Sequence, residues 1–364
     1  MSPATVVITL ILAVLATATA VYWAFVLGRL VRLARHTPLL EDGLDRPKVE
    51  DLVSVVVPAH DEARVIERMV ASMRAQRDAR IELVVVLDRC TDDTLARLEA
   101  AAEGDPRIRP IVNDTCPDEW AGKCHAASVG AAAARGDWLL FTDADVRFDP
   151  DVIRAAVAIA DADAIDLLSA YTRLTSGHWW EAVVQPPAAI TLLRMFPPDR
   201  TNHVARPRSF ANGQFMLFRR AFYDRLGGHA AVKDDLLEDL AFAKAVHRLE
   251  GSVRVVDSGD MIQTSMYESL EDLLGGWRRI FIESCHRNVG RLNRNVVRVA
   301  SAGLGPVTAL ASLGAGAVVR SQGSTLLGLL ALLAGVAGLL FSGTALLVVF
   351  GRGGMPRIGI LGWP

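Results

Sequence analysis

The chain has 364 residues, of which 51% are hydrophobic and 22% are charged, and its formal net charge is −2. This length suits one large or two modest domains, and the balanced charge gives no indication of a nucleic-acid partner. Uncharged apolar stretches are concentrated at the two ends of the chain, which predicts a soluble middle with membrane segments on either side.

Three stretches are apolar enough for transmembrane helices, which need about 20 residues each. Residues 1–28 contain no Lys, Arg, Asp or Glu and predict an N-terminal anchor. A cleaved signal peptide is the alternative, but the lack of a basic residue at the start and the long apolar run favour the anchor. Residues 299–319 and 325–350 predict two C-terminal transmembrane helices, with a short loop between them.

Arginines mark one side of these spans. They occur in the basic flank and linker 29–50, in 280–298 and in the tail 351–364. The positive-inside rule places all three segments, and the middle domain 51–279, in the cytoplasm. In 280–298 the arginines share one helical face, which predicts a basic amphipathic helix on an anionic membrane surface. The alternative is the ordinary positive flank of the next span.

The middle domain alternates strands and helices. Its predicted strands are 52–57, 81–87, 108–112 and 138–141, and its predicted helices are 63–76, one ending near 102, and 123–135. Short connections in this alternation are typical of βαβ units, so we predict an α/β fold with a mostly parallel sheet.

Asp143 and Asp145 follow the predicted strand 138–141 directly. Ligands of open α/β sheets bind beyond the carboxyl ends of the strands. Carboxylate oxygens suit Mg²⁺ or Mn²⁺, which usually binds one or two carboxylates together with substrate phosphates. The pattern therefore predicts a metal-bound diphosphate at this edge. A plain polar turn before the next helix is the alternative.

Several segments, taken together and in order, resemble the family 2 glycosyltransferases over about residues 52–279. They are 57–62, Asp88 with 91–94, Gly122 with Lys123, Asp143 with Asp145, 211–220, 227–229, and Glu238 with Asp239. The resemblance implies a GT-A fold, which is Rossmann-like with a mostly parallel sheet, and transfer of a sugar from a nucleotide diphosphate sugar.

The same resemblance implies roles for residues that would bind the donor. The implied donor-binding residues are Pro58, Ala59, Glu62, Asp88, Lys123 and Asp143, and Asp145 would bind the metal. Each also has an ordinary structural interpretation. Glu62 could be a carboxylate favoured by the helix dipole, Asp88 the start of a turn, and Lys123 an exposed lysine at a helix start. Asp92 is assigned mainly to helix capping.

Asp239 would be the catalytic base that takes a proton from the acceptor hydroxyl in an inverting displacement. Like charges on Asp234, Asp235 and Glu238 would raise its pKa. A solvated, dipole-favoured helix start is the alternative. Candidate acceptor and sugar contacts are Asn212, Gly213, Gln214, Glu238 and Trp277.

Trp277 is the one residue left of the Gln-x-x-Arg-Trp pattern found in many processive members. The pattern is more similar to the branch that glycosylates terpenoid lipids, including carotenoid- and hopanoid-associated enzymes. We therefore expect transfer to a lipid or isoprenoid acceptor. Alternatives are another glycolipid or polysaccharide transferase, and an inactive scaffold that binds nucleotide-sugar. The apolar, proline-broken segment 179–196 is expected either as an interfacial helix or as core under the sheet.

Overall fold

The computed structural model describes residues 2–175, 177–203, 208–267, 269–352 and 360. The chain divides into two compact units. An α/β unit comprises Thr37–Thr175 and Phe196–Glu268, and a helical unit comprises Met1–His36, Ser176–Met195 and Ser269–Pro364.

The helices and strands alternate through the α/β unit. Its strands are β1 (Leu52–Ala59), β2 (Arg80–Asp88), β3 (Ile108–Asn113), β4 (Trp138–Phe141), β5 (Val146–Phe148), β6 (Leu167–Tyr171), β7 (Arg173–Leu174), β8 (Met216–Arg219), β9 (Val253–Asp257) and β10 (Ile262–Thr264). The helices of the whole chain are α1 (Pro3–His36), α2 (Ile66–Arg74), α3 (Thr94–Ala102), α4 (Gly122–Ala133), α5 (Val152–Ala162), α6 (Trp179–Met195), α7 (Pro198–Thr201), α8 (Arg220–Leu226), α9 (Glu238–Arg248), α10 (Leu270–Ser284), α11 (Val289–Ser321) and α12 (Thr325–Arg352).

The main sheet has seven strands in the order β3-β2-β1-β4-β8-β6-β9. Strand β8 runs antiparallel to β4 and β6, while the other neighbours are parallel. A second sheet has the order β5-β10-β7. The predicted α/β class with a mostly parallel sheet is therefore confirmed.

Alternate residues of β1 face two different hydrophobic layers, as the two-residue repeat of a strand requires. Val55 packs in the layer that contains Ile66 and Met69 of α2, whereas Val56 packs in the layer with Ala127 of α4. Both layers are closed to solvent, which explains why the strands read as continuous apolar runs. The sheet is thus packed on both faces.

Three helices of the helical unit are long and apolar enough to cross a membrane: Pro3–Leu33, Val289–Ser321 and Thr325–Gly351. Helices α11 and α12 approach closely through glycines, since a Cβ on Gly316 would lie 2.9 Å from the Gly328 oxygen. Ser312 Oγ also donates across this interface to the Ala331 oxygen at 2.8 Å. Small residues and hydroxyl hydrogen bonds are the usual means of packing helices in lipid.

The structure differs from the expected separate helix 280–298. Helix α10 ends at Ser284, and one continuous helix runs from Val289 to Ser321. The break falls where His286 and Arg287 adopt positive φ, and Asn288 then caps α11 by accepting from the Arg291 N–H at 2.9 Å. Nothing interrupts the helix at residue 298, so its arginines form the first turns of the span.

The segment 179–196 was expected either as an interfacial helix or as core under the sheet, and it forms helix α6 up to Met195. It belongs to the helical unit rather than to the core under the sheet, and Arg194 on it donates to Asn295 Oδ1 of α11 at 2.9 Å. The expected domain 51–279 is therefore interrupted, because α6 and α10 both group with the long apolar helices. Most of the expected tail 351–364 lies outside the described residues.

Candidate active site

The carboxyl ends of the parallel strands and the amino end of β8 meet at one edge of the sheet, because β8 runs in the opposite direction. Asp88 ends β2, Asp143 and Asp145 follow β4, and residues 212–214 precede β8. Helix α9 begins with Glu238 and Asp239. The topology thus brings residues far apart in sequence to one edge.

Lys123 joins two of the expected subsites. Its Nζ lies 2.8 Å from Asp143 Oδ1 and 2.7 Å from Glu238 Oε1. Burial works to lower the pKa of Lys123, but the two carboxylates outweigh it and hold this pKa well above its ordinary value. Burial likewise works to raise the pKa of Glu238, and the Lys123 ion pair outweighs that effect, so Glu238 is held as a carboxylate.

Asp239 is held by two backbone N–H groups. Gly213 N–H donates to its Oδ2 at 3.0 Å, and Leu240 N–H donates to its Oδ1 at 2.7 Å. Burial, followed by the like charge of Glu238, raises the pKa of Asp239 to about 7. Asp234 and Asp235 are exposed, where solvent screens their charge. The carboxyl group is therefore oriented and poised to exchange a proton near neutral pH.

Asp145 carries a buried oxygen, Oδ1, that has no hydrogen-bond partner among the described residues. Burial, followed by the negative charges of Asp143 and Glu62, raises the pKa of Asp145 to about 8. A buried carboxylate oxygen without a donor is costly unless a cation or proton joins it. These residues therefore fit a hard divalent cation, which prefers carboxylate oxygens.

Asp61, Cys90 and Asp92 form another cluster of potential ligand atoms within the described part of the chain. Their oxygens are already used, since Asp61 Oδ1 accepts from the Thr91 N–H at 2.6 Å and Asp92 Oδ2 accepts from the Ala63 N–H at 3.1 Å. Asp92 Oδ1 also accepts from the Thr94 N–H at 3.0 Å, at the first residue of α3. This cluster fastens the loop before α3, in line with the capping role expected of Asp92.

The residues expected to line the base pocket lie at the end of β1 and just beyond it. The pairing of β1 with β4 ends at Val56, before Pro58. The N–H group that Pro58 lacks is therefore not needed for the hydrogen bonds between these two strands. Ala59 is buried, and burial followed by the charge of Asp143 raises the pKa of the nearby Glu62. These three residues lie along the same edge as Asp88.

Asp88 is buried and already paired. Its Oδ2 accepts from Arg89 Nη2 at 2.7 Å, and its Oδ1 accepts from Asn113 Nδ2 at 2.8 Å. His60 Nδ1 lies 2.6 Å from the Asp88 backbone oxygen. The sequence interpretation missed Arg89, Asn113 and His60. The signal for Asn113 was its position at the end of β3, the strand beside β2.

The three residues before β8 have different surroundings. Gly213 faces the ion pairs, since a Cβ there would lie 3.4 Å from both Lys123 Nζ and Glu238 Oε1. Asn212 Nδ2 instead donates to the Ala170 oxygen at 3.0 Å, and Gln214 Oε1 accepts from Thr264 Oγ1 at 3.2 Å. The structure thus brings Gly213 to the candidate base, while the other two side chains tie neighbouring strands.

Trp277 is placed on α10 in the helical unit, where it is buried and stacks on Phe281 with ring centroids 5.6 Å apart. Trp277 thus belongs to the helical unit, whereas the cluster described above belongs to the α/β unit. Within the α/β unit, the sequence analysis included His229 in the family resemblance but assigned it no role in the site. His229 is buried, pairs with Tyr223 Oη through Nδ1 at 2.7 Å, and burial lowers its pKa to about 3.

Residues 54–227 match the family model Glycosyl transferase family 2. This segment, just under half of the chain, is similar to that family. The family resemblance expected from the sequence is confirmed over this segment.

Individual proteins similar to this chain include 4,4'-diaponeurosporenoate glycosyltransferase of Staphylococcus haemolyticus, at 24% identity over 234 residues, covering 62% of this chain and 60% of that protein. Succinoglycan biosynthesis protein ExoO of Rhizobium meliloti is 39% identical over 115 residues, covering 32% of this chain and 31% of its own length. The chain therefore spans less than two thirds of either relative.

Among solved structures, the mannosyltransferase PcManGT from Pyrobaculum calidifontis, described in complex with GDP-Man and Mn²⁺, superposes with a TM-score of 0.50 at 19% identity. The match covers 96% of this chain and 97% of that one. At this identity the similarity shows the fold alone, and it confirms the expected GT-A architecture with its apolar helices at both ends.

Proposed function

We propose that this protein is a membrane-anchored, inverting, metal-dependent glycosyltransferase of the cell membrane. It would transfer a sugar from a nucleotide diphosphate sugar, preferably a UDP-sugar, to a hydroxyl or carboxyl group of a lipid or isoprenoid acceptor at the cytoplasmic face. The observation that carries this proposal is the oriented Asp239 carboxyl group, with its pKa raised to about 7, beside the Lys123 bridge to Asp143.

Asp239 acts as the general base in this proposal. Its carboxylate takes the proton of the acceptor hydroxyl while that oxygen bonds to the anomeric carbon. The bond between the anomeric carbon and the diphosphate oxygen breaks on the opposite side, so the configuration inverts. The two backbone N–H groups keep the carboxylate oriented toward the acceptor, and proton transfer of this kind is worth about 10²–10⁴-fold in rate.

The donor end consists of Asp143, Asp145 and Lys123. A Mg²⁺ or Mn²⁺ ion held by Asp145 would neutralise charge on the departing diphosphate. Asp143 would contact the donor ribose, and Lys123 holds Asp143 in place through the 2.8 Å ion pair. Because Lys123 also contacts Glu238, it links the donor residues to the segment that carries the base.

A lipid acceptor is supported by the long apolar helices and by the name of the staphylococcal relative, which refers to the carotenoid carboxylate diaponeurosporenoate. The name of ExoO, a succinoglycan biosynthesis protein, favours polysaccharide synthesis as a second candidate. Product size separates the two. A single glycosylated lipid supports the proposal, whereas a ladder of polymer lengths contradicts it.

The proposal is tested in native membranes with a panel of labelled UDP- and GDP-sugars and with Mg²⁺ or Mn²⁺. We expect label in the organic-extractable lipid, and we expect chelation to abolish it and added metal to restore it. Nucleotide binding without transfer from any donor would instead identify an inactive scaffold.

A further inference from the structure

Arg194, near the end of α6, is half-buried beside α11. Among the described residues its guanidinium group makes one hydrogen bond, in which Nη2 donates to Asn295 Oδ1 at 2.9 Å. A guanidinium group carries several N–H donors, so this bond leaves most of them for another acceptor. Burial lowers the pKa of Arg194, and the like charge of Arg298 acts in the same direction.

Arg298 lies beside this guanidinium group. It is one helical turn after Asn295 on α11, and residues at this spacing share one face of a helix. Within the described part of the chain, the titratable groups that act on Arg194 are Arg298 and Tyr22 of α1, and neither is a carboxyl group. Two guanidinium groups at one place repel each other, so an anion between them would stabilise the arrangement.

Asn295 holds Arg194 in this position. Its amide group has a fixed orientation, because Nδ2 donates to Cys285 Sγ at 3.3 Å and to Met195 Sδ at 3.6 Å. The amide oxygen is thereby directed to the Arg194 guanidinium group. Arg194 is therefore anchored at the junction of α6 and α11, unlike an arginine that extends freely into solvent.

The two arginines lie where α11 enters its uncharged stretch. Residues 299–319 contain no charged residue. At about 1.5 Å per residue they extend about 30 Å, which matches the hydrocarbon thickness of a bilayer. Arg298 directly precedes this stretch, so its guanidinium group lies at the level of the phospholipid headgroups.

Exposed apolar side chains adjoin the two arginines. Val297, next to Arg298, is 63% exposed, and Phe25, one helical turn after Tyr22 on α1, is 68% exposed. A soluble anion gains nothing from apolar surface beside its site, whereas the acyl chains of a lipid are stabilised by packing against it. The surroundings thus favour a lipid over free phosphate.

We infer that Arg194 and Arg298 form a binding site for the phosphate group of an anionic membrane phospholipid. The two guanidinium groups would donate charge-assisted hydrogen bonds to the phosphate oxygens, and the acyl chains would lie along the exposed apolar surface of α1 and α11. Basic pockets between helices at the membrane surface are typical sites for anionic headgroups. This site involves neither the sugar donor nor the acceptor, so it is independent of the proposed function.

The test uses three probes: dioctanoyl phosphatidylglycerol, dioctanoyl phosphatidylcholine and inorganic phosphate. Their binding to the detergent-solubilised full chain is measured by native mass spectrometry in wild type, Arg298→Ala and Arg291→Ala. Arg291 is a matched control, since it is also an exposed arginine of α11 and its replacement changes the net charge equally.

We expect wild type and Arg291→Ala to bind phosphatidylglycerol about tenfold more tightly than phosphatidylcholine. In Arg298→Ala, phosphatidylglycerol should bind about tenfold more weakly, as the loss of a hydrogen bond between charged groups predicts, and phosphatidylcholine should bind as before. Arg298→Glu should also abolish the preference, because its carboxylate would take the place of the phosphate beside Arg194.

A double variant tests whether the two arginines share one phosphate. Arg194→Ala should lose the preference as Arg298→Ala does, and the two together should lose little more than either alone, because residues that bind one group are not additive. Arg298 is exposed, so its variants keep the inference testable if Arg194→Ala fails to fold. Losses that add in the double variant would identify two separate contacts and overturn the shared site.

Other outcomes would also overturn the inference. An equal loss in Arg291→Ala would show diffuse attraction by the whole basic flank. Binding of inorganic phosphate as tight as that of phosphatidylglycerol would identify a site for a soluble anion. A wild type without preference for phosphatidylglycerol, or an unchanged preference in Arg298→Ala, would exclude the site itself.

Discussion

Asp239 and Glu238 are neighbours in sequence but titrate in opposite directions. Both are desolvated, which raises a carboxyl pKa. Glu238 is paired with Lys123 and its pKa falls, whereas Asp239 accepts from two backbone N–H groups and burial raises its pKa to about 7. Glu238 therefore stays a carboxylate, whereas Asp239 can exchange a proton near neutral pH. A catalytic base and a charged residue that supports it require this difference in pKa.

This arrangement predicts the pH dependence of transfer to a hydroxyl acceptor. Because the base must be deprotonated, kcat/KM of the wild type should fall as the pH decreases through about 7;. Glu238→Gln removes the like charge, lowers the pKa of Asp239 and should move this acid limb to lower pH. Asp235→Asn, at an exposed neighbour, should leave the limb in place. A limb that stays unchanged in Glu238→Gln would show that Glu238 does not set the pKa.

At the scale of elements, the antiparallel strand β8 explains how the site is assembled. Its direction brings Gly213 to the edge where the parallel strands end, and Gly213 then donates to Asp239 at the start of α9. A parallel strand in the same place would have delivered its carboxyl end instead. The site therefore depends on one reversal in an otherwise parallel part of the sheet.

Helices α11 and α12 allow a stability prediction with a control in the same helix. Gly316→Ala would place a methyl group 2.9 Å from the Gly328 oxygen, and we expect this overpacking to cost about 1–3 kcal/mol. Gly314→Ala meets no atom within 4 Å and should be neutral or stabilising by up to about 1 kcal/mol. Thermal unfolding in a bilayer-like detergent compares the two variants, and equal stabilities would contradict the close packing.

At the scale of the whole molecule, strand positions were predictable wherever both faces of a strand are buried, as at Val55 and Val56. Helix ends were less predictable. The arginines of residues 287–298 were interpreted as a separate surface helix, but the capping side chain of Asn288 decides where α11 begins. Arginines are expected where a helix leaves the membrane, whereas a capping side chain sets where the helix begins. These two positions need not coincide.

In the candidate site, too, some features were predictable from the sequence and others were not. Order along the chain and family resemblance selected Asp143, Asp145 and Asp239 as candidates. The pairing of Arg89 with Asp88 depends on a left-handed backbone conformation. The spacing of residues in the sequence does not predict this conformation. Likewise, the contact of Lys123 with Glu238 joins segments more than 100 residues apart, which only the sheet topology brings together.

The expected orientation in the membrane is tested by cysteine labelling. Gln322→Cys lies between α11 and α12 and is expected outside, because the arginine-rich flanks are expected in the cytoplasm. A membrane-impermeant maleimide should label it in intact cells. Glu99→Cys, exposed on α3 of the α/β unit, should react only after lysis. Labelling of Glu99→Cys in intact cells would reverse the orientation.

The most direct test of the central claim is single-turnover transfer to a hydroxyl acceptor by Asp239→Asn, with donor binding measured on the same preparation. The asparagine preserves shape but cannot accept the proton. We predict that the transfer rate falls by about 10²–10⁴-fold while the donor binds as in wild type. Transfer at the wild-type rate would contradict the assignment of Asp239 as the base.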